Sequence, residues 1–251
     1  EWLIAWRYLR ARRAEGGVSV MTWISLIGIA LAVFALIATL AVRSGFRADF
    51  VDTILGANAH VTVYQAAIAG SGAPADRLIT EPAALAARLA AVPGVSRAAP
   101  LVRGQALASV PGRSAGVEVF GMGAADLAGL PRIANPETAL GSLADYAAGV
   151  AIGAGVAREL GVGLGDTLRL ISPEGVRTAF GTSPRVKAYK VVYIFSAGRW
   201  DIDRTRLYMP LAEAQTFFNR DGGVDEIEVM VTRPEAVEAL TPALIEAAGP
   251  R

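Results

Sequence analysis

One stretch constrains this chain more than any other: 27 consecutive residues without a formal charge, Gly16 to Val42. As a helix rising 1.5 Å per residue it would reach about 40 Å, enough to cross a bilayer. From Val20 to Val42 the run VMTWISLIGIALAVFALIATLAV is apolar on every face, as expected where all sides meet lipid or another helix. A soluble core helix seldom has this length. A cleaved leader, the other reading for an N-terminal apolar run after positive charge, usually has an apolar region of only ~7–15 residues. We therefore expect one transmembrane helix over residues 18–43, after an amphipathic arm at 1–17 and before an exported domain at 44–251.

Arg7, Arg10, Arg12 and Arg13 precede the span, while Arg43 and Arg47 alone follow it closely. The positive-inside bias then places the N-terminus in the cytoplasm and the large domain across the membrane, with no second span in this sequence. Trp2, Trp6 and Leu9 recur at i, i+4 and i+7, opposite Arg7 and Arg10, which suits a helix lying among lipid headgroups. Plain juxtamembrane anchoring and a mechanical elbow both fit that pattern. Within the span, Ser25, Gly28, Ala32 and Ala35 form a small-residue stripe that permits close packing of a second membrane helix.

Composition removes several function classes. Without cysteine there is neither a disulfide framework nor a thiolate metal site. A net charge of +1, with basic residues dispersed beyond the N-terminal arm, gives no nucleic-acid footprint. His60 is the single histidine and has no acidic cluster nearby in sequence, so it reads as a structural residue of a strand. The only lysines, Lys187 and Lys190, do not follow glycine, so no Walker A loop is present. Gly161 to Asp166 follows a predicted helix and opens a predicted strand, the reverse of a dinucleotide loop, and reads as a tight turn. Asp201, Asp203, Asp225, Glu226 and Glu228 could pair, but no nucleophile elbow accompanies them. We expect no enzyme and no cofactor.

The patterning beyond the span predicts a mixed α+β domain. A helical stripe over Phe46–Leu55 continues the membrane helix as a stalk, and Ala59–Ala66 alternates as a strand. Glu81–Val92 is a predicted helix with Thr80 as its cap and Pro82 near its start. Val95–Val110 and Gly116–Phe120 read as strands, and 123–148 as loops and short helices. Strands are predicted at Val150–Ile152, Asp166–Ile171, Val186–Phe195, Arg206–Met209 and Glu226–Val231. Helices are predicted at Gly155–Leu160, Leu211–Phe218 and from Pro234 through Ala247.

One segment suits neither core nor catalysis. From Pro173 to Pro184 the chain joins two strong strand candidates by a connection longer than the two to five residues typical of a hairpin. An arm centred at about 170–187 is predicted. Pro173, Arg177, Phe180, Gly181 and Pro184 lie along it, and Arg169, Arg185 and Lys187 at its base. An aromatic on a projecting loop among cations can dock into an apolar cavity with an acidic rim. The same hairpin could also fold its phenylalanine back onto the sheet.

These residues resemble a known family. Ala5-Trp6-Arg7-Tyr8-Leu9-Arg10-Ala11-Arg12-Arg13, Ser25-Leu26-Ile27-Gly28-Ile29-Ala30-Leu31, Ser44-Gly45-Phe46-Arg47 and Ile54-Leu55-Gly56-Ala57-Asn58-Ala59-His60-Val61 are similar to the LolC/LolE transmembrane subunits of the lipoprotein-releasing ABC transporter. Gly165-Asp166-Thr167-Leu168-Arg169-Leu170, then Pro173 and Pro184-Arg185-Val186-Lys187, look like the region that in LolC forms the Hook, a hairpin that grips the periplasmic carrier LolA. LolE lacks that arm, so the resemblance is to LolC. Ala179 stands where the LolC-like arm typically has a proline, and Arg199-Trp200-Asp201-Ile202 departs from the pattern. The resemblance implies an inner-membrane protein of four spans, of which this chain is an N-terminal portion. It implies as partners a LolD-like ATPase, a second LolC/LolE-like subunit or another copy of itself, a LolA-like carrier, acylated lipoproteins and membrane lipid, and no nucleic acid. A MacB- or FtsX-like subunit with another substrate is the alternative of the same architecture, and a membrane-tethered enzyme or sensor is one of a different class.

Overall fold

In the computed structural model, residues 16–55, 58–65, 78–178 and 181–249 are described, together with Trp2 and Ile4. The chain divides into two compact units, residues 1–52 and 53–251. Most of the amphipathic arm expected at 1–17 lies outside the described residues.

The first unit is built on α1, Gly16–Leu55, a single helix of 40 residues. Val20–Phe46 is the stretch long and apolar enough to span a membrane, and none of it is buried within the protein. Thr39 Oγ1 donates to the Ala35 carbonyl at 2.7 Å, so its hydroxyl is satisfied within the helix. Ser25, Gly28, Ala32 and Ala35 lie exposed along this helix.

The second unit is a mixed sheet with helices packed on it. Its elements are β1 (Val61–Tyr64), α2 (Pro82–Ala90), β2 (Val95–Val110), β3 (Arg113–Met122), α3 (Ala124–Ala128), α4 (Pro131–Ala134), β4 (Thr138–Gly141), a 3-10 turn (Leu143–Ala148), β5 (Val150–Gly153) and α5 (Ala154–Leu160). There follow β6 (Thr167–Thr178), β7 (Gly181–Ser196), α6 (Trp200–Thr205), β8 (Arg206–Pro210), α7 (Leu211–Phe217), β9 (Glu226–Val231), a 3-10 turn (Pro234–Ala236) and α8 (Val237–Ala248).

The long β2 divides its partners. Its first half pairs with β9, which also pairs with β1, and its second half pairs with β3 and, at Leu107–Ser109, with β6. From β3 the order runs through β8, β5 and β7 to the edge strand β4. Because β6 pairs with both β7 and β2, the circuit β2-β3-β8-β5-β7-β6 closes on itself. The β3–β8 and β5–β7 pairs are parallel, which usually means burial on both faces. The side chains obey this: Val117, Val119, Leu207, Met209, Val150 and Ile152 join one buried cluster, while Phe120, Met122, Tyr208 and Ala151 from the same strands join a second. The period of two along each strand sorts one sequence into two cores.

Several elements depart from the sequence reading. The N-cap of α2 is Glu81 rather than Thr80, and no side chain caps it. β4 lies within the stretch read as loops and short helices, and α6 was not anticipated. The C-terminal helix begins as a 3-10 turn and contains Pro242.

Candidate functional site: the β6–β7 arm

The connection expected between Pro173 and Pro184 is not a long loop. β6 continues to Thr178 and β7 resumes at Gly181, so the two strands extend the ladder to a two-residue connection. Ala179 and Phe180, the residue expected at the tip, lie outside the described residues. The ladder is broken once. Ser172 pairs with Arg185 and Val176 with Ser183, leaving three residues of β6 opposite the single residue Pro184. Pro173 and Pro184 both sit in this bulge, and neither has an N–H to give to a ladder. Two prolines read from sequence as the bounds of the connection therefore mark a bulge within continuing strands.

Gly175 explains how the strands stay close at the break. A Cβ there would run into the Ser183 carbonyl and Pro184, so only glycine fits. The β2 pairing ends at Ile171, and Val176, Arg177 and Thr178 pair with Ser183, Thr182 and Gly181. Gly181 is thus the first residue of β7 and Arg177 lies one step inside Thr178.

The three cations expected at the base of the arm are not brought to one face. Arg169 is opposite Ala188, whereas Lys187 is opposite the buried Leu170 and Arg185 opposite the buried Ser172. Directly opposed residues share a face and neighbours along a strand do not. Lys187 and Arg185 therefore face α7 and its end: Lys187 Nζ meets Glu213 at 2.5 Å, and Arg185 donates to Asn219 Oδ1 at 2.7 Å. Lys187 also lies over the Tyr189 ring, 5.4 Å from its centroid. Burial raises the Tyr189 phenol above its ordinary value, and the nearby Glu213 carboxylate adds to the shift. Arg169 belongs to the exposed face with Val186, Ala188 and Lys190.

The carboxylates singled out from sequence are engaged in ion pairs and hydrogen bonds, the exposed Asp201 with its neighbour Arg199 at 2.6 Å. Asp203 is buried and accepts from Ser196 Oγ at 3.0 Å and from the Ala197 N–H at 2.7 Å. Asp225 pairs with Arg220 at 2.9 Å, Glu226 lies 3.7 Å from Arg103, and Glu228 meets Arg97 at 3.2 Å. Burial pushes the Glu226 carboxyl up despite Arg103, with Glu228, Asp225 and Glu118 acting in the same direction. His60 precedes β1, and its Nδ1 accepts the Val231 N–H at 3.0 Å, which ties the start of β1 to β9. That bond requires the ring to be unprotonated at Nδ1.

The sequence profile of the MacB-like periplasmic core domain matches residues 22–247. The chain belongs to that family. Among curated proteins the chain is similar to LolC and LolE. It is 29% identical over 249 residues to the lipoprotein-releasing system transmembrane protein LolC of Neisseria meningitidis, covering 97% of this chain and 58% of that protein. The protein of the same name from Xylella fastidiosa (strain Temecula1) is 31% identical over 234 residues, 87% of this chain and 51% of its own. The chain thus spans between half and three-fifths of the length of these curated relatives. The solved periplasmic region of MacB from Actinobacillus actinomycetemcomitans aligns over 74% of this chain and 80% of its own, with TM-score 0.48 and 14% identity.

On this MacB-like domain, the residues that sequence reasoning missed are those that hold the arm from outside it. Glu213 looks like an ordinary exposed helix residue, and Asn219 like a helix-ending one. Asn219 carried one signal: an asparagine just past a predicted helix suggests a left-handed cap, and its φ is +56°. Nothing in the sequence indicated which strands its side chain would reach.

Proposed function

We propose that this chain provides the first membrane helix and the periplasmic domain of a transmembrane subunit in an ATP-driven lipoprotein-releasing transporter. Such a subunit extracts acylated lipoproteins from the inner membrane and passes them to a LolA-like periplasmic carrier. The observation that carries the reading is the similarity over 97% of the chain to a lipoprotein-releasing system transmembrane protein. In this reading the N-terminus is cytoplasmic, a LolD-like partner hydrolyses ATP, and a second LolC/LolE-like subunit packs on the small-residue stripe of α1.

The β6–β7 arm is the docking element in this reading, with Phe180 entering the apolar cavity of the carrier. Transfer of a lipid-bearing protein to a soluble carrier needs a surface that recruits the carrier, and the strand pair that runs past the β2 pairing supports this reading. A MacB- or FtsX-like subunit with another substrate has no such need. Surface plasmon resonance against a LolA-like carrier separates the two. Deleting residues 174–183 should abolish capture while the thermal transition of the domain is retained. Unchanged capture by the deleted chain would overturn the docking role and favour the exporter reading.

A further inference from the structure

We infer that Asn219 is the positioning residue of the arm, clipping both strands to the end of α7 at the bulge. The inference rests on the arm being the docking element only for its functional consequence; the mechanical claim stands on geometry alone.

α7 ends with a bond from the Arg220 N–H to the Gln215 carbonyl at 2.7 Å and with Asn219 at φ +56°, the arrangement of a helix closed by a left-handed residue. Glycine adopts that conformation at least cost, and asparagine is the side chain that tolerates it best after glycine. The side chain present here does something glycine could not. Its Nδ2 donates to the Gly175 carbonyl of β6 at 3.2 Å, and its Oδ1 accepts from Arg185 of β7 at 2.7 Å. Only one amide orientation satisfies both, because the Gly175 oxygen can only accept and the guanidinium can only donate.

The two bonds fall where the arm is weakest. Between the Ser172–Arg185 and Val176–Ser183 pairs the ladder is interrupted, so the strands could bend there. Gly175, whose carbonyl Asn219 holds, lies at the same point. By holding a backbone carbonyl of one strand and a side chain of the other against a fixed helix, Asn219 removes that freedom. Lys187 with Glu213, further from the tip, is about half exposed on both sides and contributes a weaker brace.

Asn219→Gly is the informative variant, because it keeps the left-handed backbone and removes only the clip. Asn219→Asp keeps the acceptor for Arg185 but loses the donor to Gly175. With the full chain in detergent, amide exchange should accelerate about tenfold across residues 174–183 in Asn219→Gly, less in Asn219→Asp, with β9 unchanged and the melting temperature nearly that of the parent. Association with a LolA-like carrier should slow several-fold as the arm samples more directions, with a smaller change in dissociation. Unchanged exchange across 174–183 in Asn219→Gly overturns the inference. Exchange that rises equally in β9 also overturns it, since that would make Asn219 a general stabiliser. If exchange changes as expected and the parent chain does not bind the carrier, the clip stands and the docking role falls.

Discussion

Two long hairpins lie next to each other in this domain and are built on opposite plans. In β2–β3, nine consecutive pairs run without a break from Val102–Gly121 to Val110–Arg113, closed by Pro111 and Gly112 at φ +79°. Its inner residues Ala106, Ala108, Val117 and Val119 are all buried. In β6–β7 the first half is equally buried through Leu168 and Leu170, and then two prolines break the ladder and β2 no longer accompanies it. The first hairpin is held by its own ladder and core. The second loses its β2 partner at the bulge, and there both strands are tied to the end of α7 through Asn219. A hairpin can be given an outward segment without endangering the core if its continuity is interrupted at the boundary.

The largest expected effect tests the first half of this contrast. Val119→Asp places an unpaired carboxylate in a fully buried position and should cost about 4 kcal/mol or more, enough to abolish the cooperative thermal transition. A folded, soluble variant would mean that β2–β3 is less central than its burial indicates. Next is Phe180→Ala on the arm. Loss of one buried aromatic contact, about 1.5–3 kcal/mol, should weaken carrier binding by roughly ten- to a hundredfold in surface plasmon resonance, with the melting temperature unchanged. A shift in melting temperature with no loss of binding would instead place that side chain against the sheet.

A smaller effect separates the two faces of the arm. Arg169→Glu, on the exposed face, should slow carrier association by a few-fold and flatten its dependence on salt. Lys187→Ala should alter mainly amide exchange near α7, because its ammonium is already engaged by Glu213. Equal effects on association would show that both faces meet the carrier.

The smallest effect asks whether the hairpins are independent of the sheet edge at β1. Burial, with the charge of Arg97 adding to it, holds the His60 imidazole below its ordinary value. A pKa depressed in the folded state means that the unfolded chain binds the proton more readily. The contribution of His60 is therefore complete above the unfolded value of about 6.5 and is lost as the pH falls toward the folded value. Melting temperatures measured between pH 7.5 and 5 should fall more for the parent than for His60→Gln. Identical slopes would show that the bond to Val231 contributes nothing, and exchange changes spreading from β9 to both hairpins would show that the edge and the hairpins unfold together.

Sequence patterning reached most of this architecture where apolar residues concentrate between turn signals. The apolar run of α1 and the apolar-rich strands β2, β8 and β9 appear with nearly the expected bounds. β4 was hidden because all four residues, Thr138 to Gly141, are exposed, so no alternation marks them. α6 was hidden because only Ile202 and Asp203 of its six residues are buried. At the candidate site, Pro173 and Pro184 drew notice to the segment, but the hairpin that β6 and β7 build through it was not legible. Proline rules describe the local ladder and cannot tell a strand that stops from one that continues past a bulge. The shared face of Arg185 and Lys187 depended on register, and the reach of Asn219 to Gly175 spans 44 residues of sequence.

The closed circuit of strands gives the arm a mechanical property. β6 is one unbroken length of backbone from Thr167, inside the ring, to Thr178 on the arm. Tension applied at the outer end and directed along the strand would load the β2–β6 and β6–β7 hydrogen bonds together, in shear. A sideways pull would instead open the outer pairs one after another, like a zipper, until it met the bonds from Asn219. The arm would then be stiff toward axial force and compliant toward lateral force, so a partner that had to be released could be peeled away at little cost to the ring.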